Sequence, residues 1–297
     1  YIAGGRIGFV LMPKVEGEVA ISIMGSPPRS PFYLHTFTGG NAYMLDMLKQ
    51  FSAEIDVQSN AAGFDEAIQR TRTLLEEDTA TISIDSAQIS DTQLDVDVSI
   101  QSLVGHKFPS GFPSRRAWVH LTVLDASGNT LFESGGYEAN GTIIGNANDE
   151  DDTRFEPHYI EIAEEEQVQI YESIMQDVNG NVTTALLLAQ TYAKDNRLLP
   201  GGFDKDAVDD KIAVFGKAAG DGDFTGSGDS IHYGIKLDAA SDPLTVRVEL
   251  LYQSIGYRWA QNLGMEESPQ IDDFLRFYDE TPNTPIVIAS EEIVVTP

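Results

Sequence analysis

Apolar positions along this chain change their period near residue 79. From Asn41 onward Tyr43, Met44, Met47, Leu48, Phe51 and Ile55 recur at helical spacing, and Phe64, Ile68, Thr71, Leu74 and Leu75 do so again after a short break. The spacing predicts two helices joined by VQSNAAG, a helical hairpin over residues 39–79 whose methionine and aromatic stripe belongs to a core. After Thr79 the period becomes two. It begins in TATISID and is clearest in QLDVDVSIQSLV, where Leu94, Val96, Val98 and Ile100 alternate with polar residues. AWVHLTVLDASGNTLFESG predicts a β-hairpin turning at Ser127-Gly128-Asn129, and further strands are predicted at QVQIYESIM, LTVRVELLYQSI and PIVIASEEIVV.

Many strands without regular strand–helix alternation predict a mainly β protein, an antiparallel, immunoglobulin-like β-sandwich over residues 80–297. Two helical insertions are expected in it, at TTALLLAQTYAKDN from near Thr183 and at IDDFLRFYDE. Residues 1–38 are rich in Gly and Pro, GEVAISIMGSPPRSPF above all, and predict an extended arm.

Composition narrows the function. The 297 residues are 41% hydrophobic and 22% charged, as in a protein with a packed core. Asp plus Glu number 47 against 19 Lys plus Arg, a formal net charge of −28, so nucleic acid is not an expected partner, whereas cations and basic proteins are. With no cysteine, disulfides, thiolate metal sites and covalent haem attachment within this chain are excluded. No apolar run approaches the ~20 residues that cross a bilayer. The chain begins at Tyr1, as a processed or truncated product would.

Enzyme signatures are missing: there is no Gly-x-Ser-x-Gly elbow, no His-Glu-x-x-His helix, no Walker loop and no dinucleotide fingerprint. His35, His106, His120, His158 and His232 stand singly. DGDFTGSGD places oxygens at alternate positions, Asp221, Asp223, Thr225, Ser227 and Asp229, like the first nine positions of a calcium loop; His232 then stands where a bidentate carboxylate is needed. NANDEDD, with Asp149, Glu150, Asp151 and Asp152, reads as a solvated acidic loop. In GHKFPSGFPSRRAW, Pro109 and Pro113 fix φ, Arg115 and Arg116 can form forked hydrogen bonds, and Trp118 can anchor a strand. This predicts a structural loop, with presentation of the His106 imidazole to a metal as its functional reading.

Four segments, GHKFPSGFPSRRAWVHLTVLDASGNTLFESG, HTFTGGNAYML, QVQIYESIMQDVNGNVTTALL and KDNRLLPGGFDK, together resemble the C-terminal β-rich region of exported bacterial multihaem c-type cytochromes. In that family the region opens with Cys-x-x-Cys-His followed by Met-Pro. Met12-Pro13 is kept here, but the five preceding places are Ile7, Gly8, Phe9, Val10 and Leu11, so the resemblance is to a haem-less relative. It implies that His35 and His106 are counterparts of axial haem ligands, able to serve only a haem held by another chain. It further implies a periplasmic or extracellular location and a non-catalytic role as a structural or assembly component of an electron-transfer system. The expected partner is a c-type cytochrome or a second copy, with sheet edges and the arm available for strand addition. The alternative is a secreted calcium-dependent adhesion or carbohydrate-binding sandwich, and a third reading is an enzyme using His106, His158 and nearby carboxylates.

Overall fold

The computed structural model describes residues 38–57, 59–237 and 243–296, together with a minimal antiparallel pairing of β1 (Ile2–Ala3) with β2 (Arg6–Ile7). The remainder of the expected arm, His35 included, lies outside the described residues.

Two helices open the main unit. Asn41 caps α1 (Ala42–Gln50) by accepting from Met44 N, and Asn60 caps α2 (Ala61–Asp78) by accepting from Gly63 N, the short polar side chains that helix N-termini favour. The first helix is shorter than its apolar spacing predicts: residues 51–56 form turns, and Ile55 is exposed.

The strands follow in two facing sheets. One is assembled from β3 (Ala80–Ser90), β4 (Gln93–Ser102), β7 (Glu161–Ile162) and β12 (Asp229–Lys236), in the order β3-β4-β12-β7. The other is built from β5 (Arg116–Leu124), β6 (Thr130–Ser134), β8 (Ile170–Tyr171), β13 (Leu244–Gln253) and β14 (Ile286–Val295), in the order β14-β13-β5-β6 with β8 also paired to β5. All these pairings are antiparallel except β12 with β7. Inward-facing Leu94, Val96, Val98 and Ile100 meet Val119, Leu121, Val123, Val246, Val248 and Leu250 in one continuous core, so the expected mainly β sandwich with helical insertions is what forms. β3 carries a register shift between Ile84 and Ser86, and the Glu291 carboxylate of β14 accepts Ile84 N at 2.6 Å across the sandwich edge.

The opposite face of the second sheet is also covered. Trp118 and Leu251 pack there against Ile143, Val168 and Ile170. A further cluster joins α1 to α4 (Tyr257–Leu263) and α5 (Pro269–Glu280) through Met47, Phe51, Ala260, Phe277 and Tyr278. IDDFLRFYDE is helical, as its period predicts.

TTALLLAQTYAKDN is not a helix. It forms β10 (Val182–Thr183), a turn, and β11 (Thr191–Asp195), both hydrogen-bonded to β9 (Ser173–Gln176). Val182, Thr183, Thr191 and Tyr192 carry the β-branched and aromatic preference for strands, which prevails over the helical look of the three leucines between them. β12 was not expected at all, and it is a central strand of its sheet.

Candidate functional site

Arg116 opens β5 with its guanidinium wholly buried. It donates to both carboxylate oxygens of Asp149 at 2.8 and 2.9 Å, to Gln253 Oε1 at 3.0 Å and to Gly141 O at 2.7 Å. Asp149 lies in α3 (Ala147–Glu150), within NANDEDD, and its side chain is fully buried. The solvated-loop expectation therefore fails for Asp149, which is paid for by a forked ion pair, while Glu150 stays exposed. Arg115 donates to Ser110 O and Gly39 O, and Trp118 Nε1 donates to Gly135 O at 2.8 Å. Pro109 follows a cis peptide bond and is buried; Pro113 is half-buried. His106 is exposed, with Nδ1 3.1 Å from Lys107 O.

A second polar centre gathers five segments around His158. The ring lies in the irregular chain before β7; Gln169 immediately precedes β8, Asn196 follows β11, Asp221 ends a short 3-10 turn, and Asp229 opens β12. Gln169 Nε2 and Asn196 Nδ2 approach His158 Nδ1 at 2.8 and 3.1 Å. Both amides are fixed from behind: Gln169 Oε1 accepts Tyr159 N, Asn196 Oδ1 accepts Glu172 N, and Asn196 Nδ2 also donates to Ile170 O. Two N–H groups thus point at Nδ1, which must accept, so the ring hydrogen sits on Nε2. Nε2 in turn lies 3.0 Å from Asp221 Oδ2 and 3.7 Å from Asp229 Oδ1.

Burial sets the charge of this centre. It lowers the His158 pKa to about 4, so the ring is neutral at pH 7. Burial also raises Asp229 to about 7, although Tyr171 Oη and Gln169 Nε2 donate to its Oδ2 at 2.6 and 3.1 Å. Asp229 Oδ1 has no hydrogen-bond partner. Asp223, though its side chain is exposed, is raised to about 6, first by partial desolvation and then by the neighbouring Asp221 carboxylate; Asp221 is held low because hydrogen bonds from Asp223 and His158 outweigh its own burial.

The five expected calcium-loop residues part company. Asp221 and Asp229 turn inward to His158, whereas Thr225 and Ser227 sit on a tight turn in which Thr225 N donates to Gly228 O and Gly228 N to Thr225 O. That turn requires Gly228, whose φ is +134° and where a Cβ would fall 2.1 Å from Ile100 O. Asp223, Thr225, Ser227 and Asp229 line a cavity of about 270 Å³ together with Thr81, Ser83, Ser99, Gln101 and Ser230. His158 carried no sequence signal beyond being a lone histidine. Of the other histidines, His120 lies between Glu133 and Glu249, and His232 faces Asp97.

Among the described residues, three consecutive apolar side chains project from the surface. Between β10 and β11, Leu186, Leu187 and Leu188 are 48%, 100% and 62% exposed. Thr184 Oγ1 accepts from Asn262 Nδ2 of α4, beyond which Leu263 and Met265 are exposed as well.

The described residues define a β-sandwich protein whose buried polar centres include the Arg116–Asp149 pair and the His158 cluster, with an exposed leucine turn at its surface. No protein-family model matches the chain, and no curated protein matches it. Among solved structures it is similar to a penta-heme cytochrome c552 from Thermochromatium tepidum, at 16% identity and a TM-score of 0.42, over 75% of this chain and 41% of that one. The chain thus spans about two-fifths of that structure's length. A likeness of this size assigns neither family nor function, and the readings that follow rest on the chain's own residues.

Proposed function

We propose that this protein is a non-catalytic, haem-less module of a periplasmic or extracellular electron-transfer system, working by attachment to a c-type cytochrome. The observation that carries the attachment role is the finger Leu186-Leu187-Leu188. Three consecutive exposed leucines on the turn that links β10 to β11 gain up to roughly 1.5–3 kcal/mol each when a partner covers them. The polar chemistry of the described residues supports the same reading: Arg116 and Asp149 satisfy each other, and His158 is neutral and enclosed, so neither centre presents a nucleophile with its base to a substrate. The cytochrome context comes from the ordered sequence segments that resemble multihaem cytochromes, and the lack of cysteine excludes covalent haem attachment to this chain, so the proposal takes the haem to be the partner's. His106, an exposed imidazole, is the proposed ligand to such a haem.

The test is size-exclusion chromatography of the gently isolated protein with absorbance at 280 nm and across the Soret region, compared with Leu187→Asp. A stoichiometric Soret band co-eluting with the native protein and lost from the variant is the expected result. A haem-free monomer that elutes identically with or without the substitution overturns the proposal. A haem-free oligomer dissolved by Leu187→Asp would keep the finger as a contact, replace the cytochrome by a second copy, and so refute the electron-transfer role.

A further inference from the structure

Around Asp229 the described residues bring together more negative charge than they neutralise. Asp221 and Asp229 converge on the His158 ring, with Asp223 next to Asp221, while Lys194 is paired with Glu172 at 3.0 Å and Lys205 donates to the carbonyls of Ala218 and Asp221. Asp223 N donates to Asp221 Oδ1 at 3.1 Å, which sets the two carboxylates side by side, and adjacent carboxylates repel unless a proton or a cation joins them. Two buried oxygens beside them lack any partner. Asp229 Oδ1, on a side chain with no exposed surface, points toward His158 and Asp221, and the Tyr233 hydroxyl, fully buried and in electrostatic contact with Asp229, is likewise unpaired. Native interiors leave few such atoms unsatisfied, so each calls for an occupant. The hydroxyl-lined cavity against Asp223 and Asp229 provides a route inward and room for water.

We propose that Asp221, Asp223 and Asp229 bind one calcium ion, with His158 as a hydrogen-bond donor that orients Asp221 and not as a ligand. The donor set selects the ion. Oxygen ligands with flexible geometry and space for water suit calcium, whereas magnesium demands a tight octahedron. Zinc would use the lone pair of His158 Nε2, and the two amides fixed against Nδ1 keep a hydrogen on that atom. Thr225 and Ser227 line the cavity and act through water, which distinguishes this site from a loop that ligates at every alternate position.

Isothermal titration of chelator-treated full-length protein with calcium chloride tests this, with zinc chloride in parallel and the imidazole 15N–1H correlations of His158 as a second readout. Binding of one calcium per chain is expected, weakened at least tenfold in Asp223→Asn and in Asp229→Asn and unchanged in Asp152→Asn, with the Nε2–H signal of His158 retained in the bound state. Asp223 is exposed, so Asp223→Asn remains informative even if the Asp229 variant does not fold. The proposal is overturned by absence of stoichiometric calcium binding, by binding that Asp223→Asn leaves intact, or by a shift of His158 to the Nδ1–H form on metal addition.

Discussion

Replacing Arg116 with methionine keeps most of the aliphatic length of the side chain and removes the charge. Four hydrogen bonds go with it, two of them to the Asp149 carboxylate, which is left in the interior with Ile143 N, at 2.9 Å from Oδ2, as its remaining side-chain hydrogen bond. Gln253 Oε1 loses its donor too, whereas Gly141 O keeps Gln253 Nε2 at 3.2 Å. Breaking one side of a buried ion pair in this way costs about 3–5 kcal/mol, because the surviving charge stays desolvated. That is a large part of the roughly 5–15 kcal/mol that holds a domain folded. The assay is urea unfolding followed by tryptophan fluorescence, for Arg116→Met, Asp149→Asn, the double variant and Arg115→Met. Arg115 bonds only to backbone carbonyls of Ser110 and Gly39 and is half-exposed, so Arg115→Met should cost about 1 kcal/mol. The double variant should recover at least about 2 kcal/mol relative to the sum of the singles. If Arg116→Met cost no more than Arg115→Met, or the cycle closed with no coupling, the reading of Arg116 as the clasp of this fold would be wrong.

Other consequences can be measured on the same protein. Asp195 accepts from Lys107 Nζ at 2.9 Å and from Arg197 Nε and Nη2 at 2.8 Å each; burial alone would raise its pKa, and these partners outweigh it and hold it below 3.8. A folded value below the unfolded one gives stability that is present above pH ~4 and lost as pH falls through the folded value, so Asp195→Asn should destabilise at pH 7 and flatten the fall in urea midpoint below pH 4. An Asp195→Asn profile parallel to that of the native protein would contradict this. Gly228→Ala, with its Cβ 2.1 Å from Ile100 O, should cost about 3 kcal/mol or more, read from the thermal midpoint, and a neutral result would show that the turn can relax. Leu187→Asp, at a fully exposed position, should leave global stability within about 0.5 kcal/mol, which separates its effect on association from any effect on folding. Leu121→Ala in the sandwich centre should cost about 2–5 kcal/mol by the same denaturation assay.

The strands with one dry face were legible in the sequence, because a half-buried strand must alternate: Leu94, Val96, Val98 and Ile100 announce β4 without reference to any neighbour. β12 carried the same alternation in Ile231, Tyr233 and Ile235, but the oxygens at alternate positions just before it drew attention to the loop instead. The leucine finger misled for a physical reason. Consecutive leucines raise helical expectation, yet here they lie exposed on a turn closed by Leu188 N and Ala189 N donating to Ala185 O, and it is the flanking residues that pair with β9. Site residues were legible only as types. Arg116 could be read as suited to a forked bond, but Asp149, 33 positions away among adjacent carboxylates, could not be distinguished from its solvated neighbours. His158 draws its contacts from positions 169, 196, 221 and 229, a set that no local window contains.

The carboxylate of Glu291 that reaches Ile84 N occupies a main-chain donor where β3 shifts register at the margin of its sheet. A foreign strand docking along β3 would need that donor and would meet an uneven ladder. At Ile84 this flank is therefore guarded against the edge-to-edge stacking that turns exposed sheets into fibres.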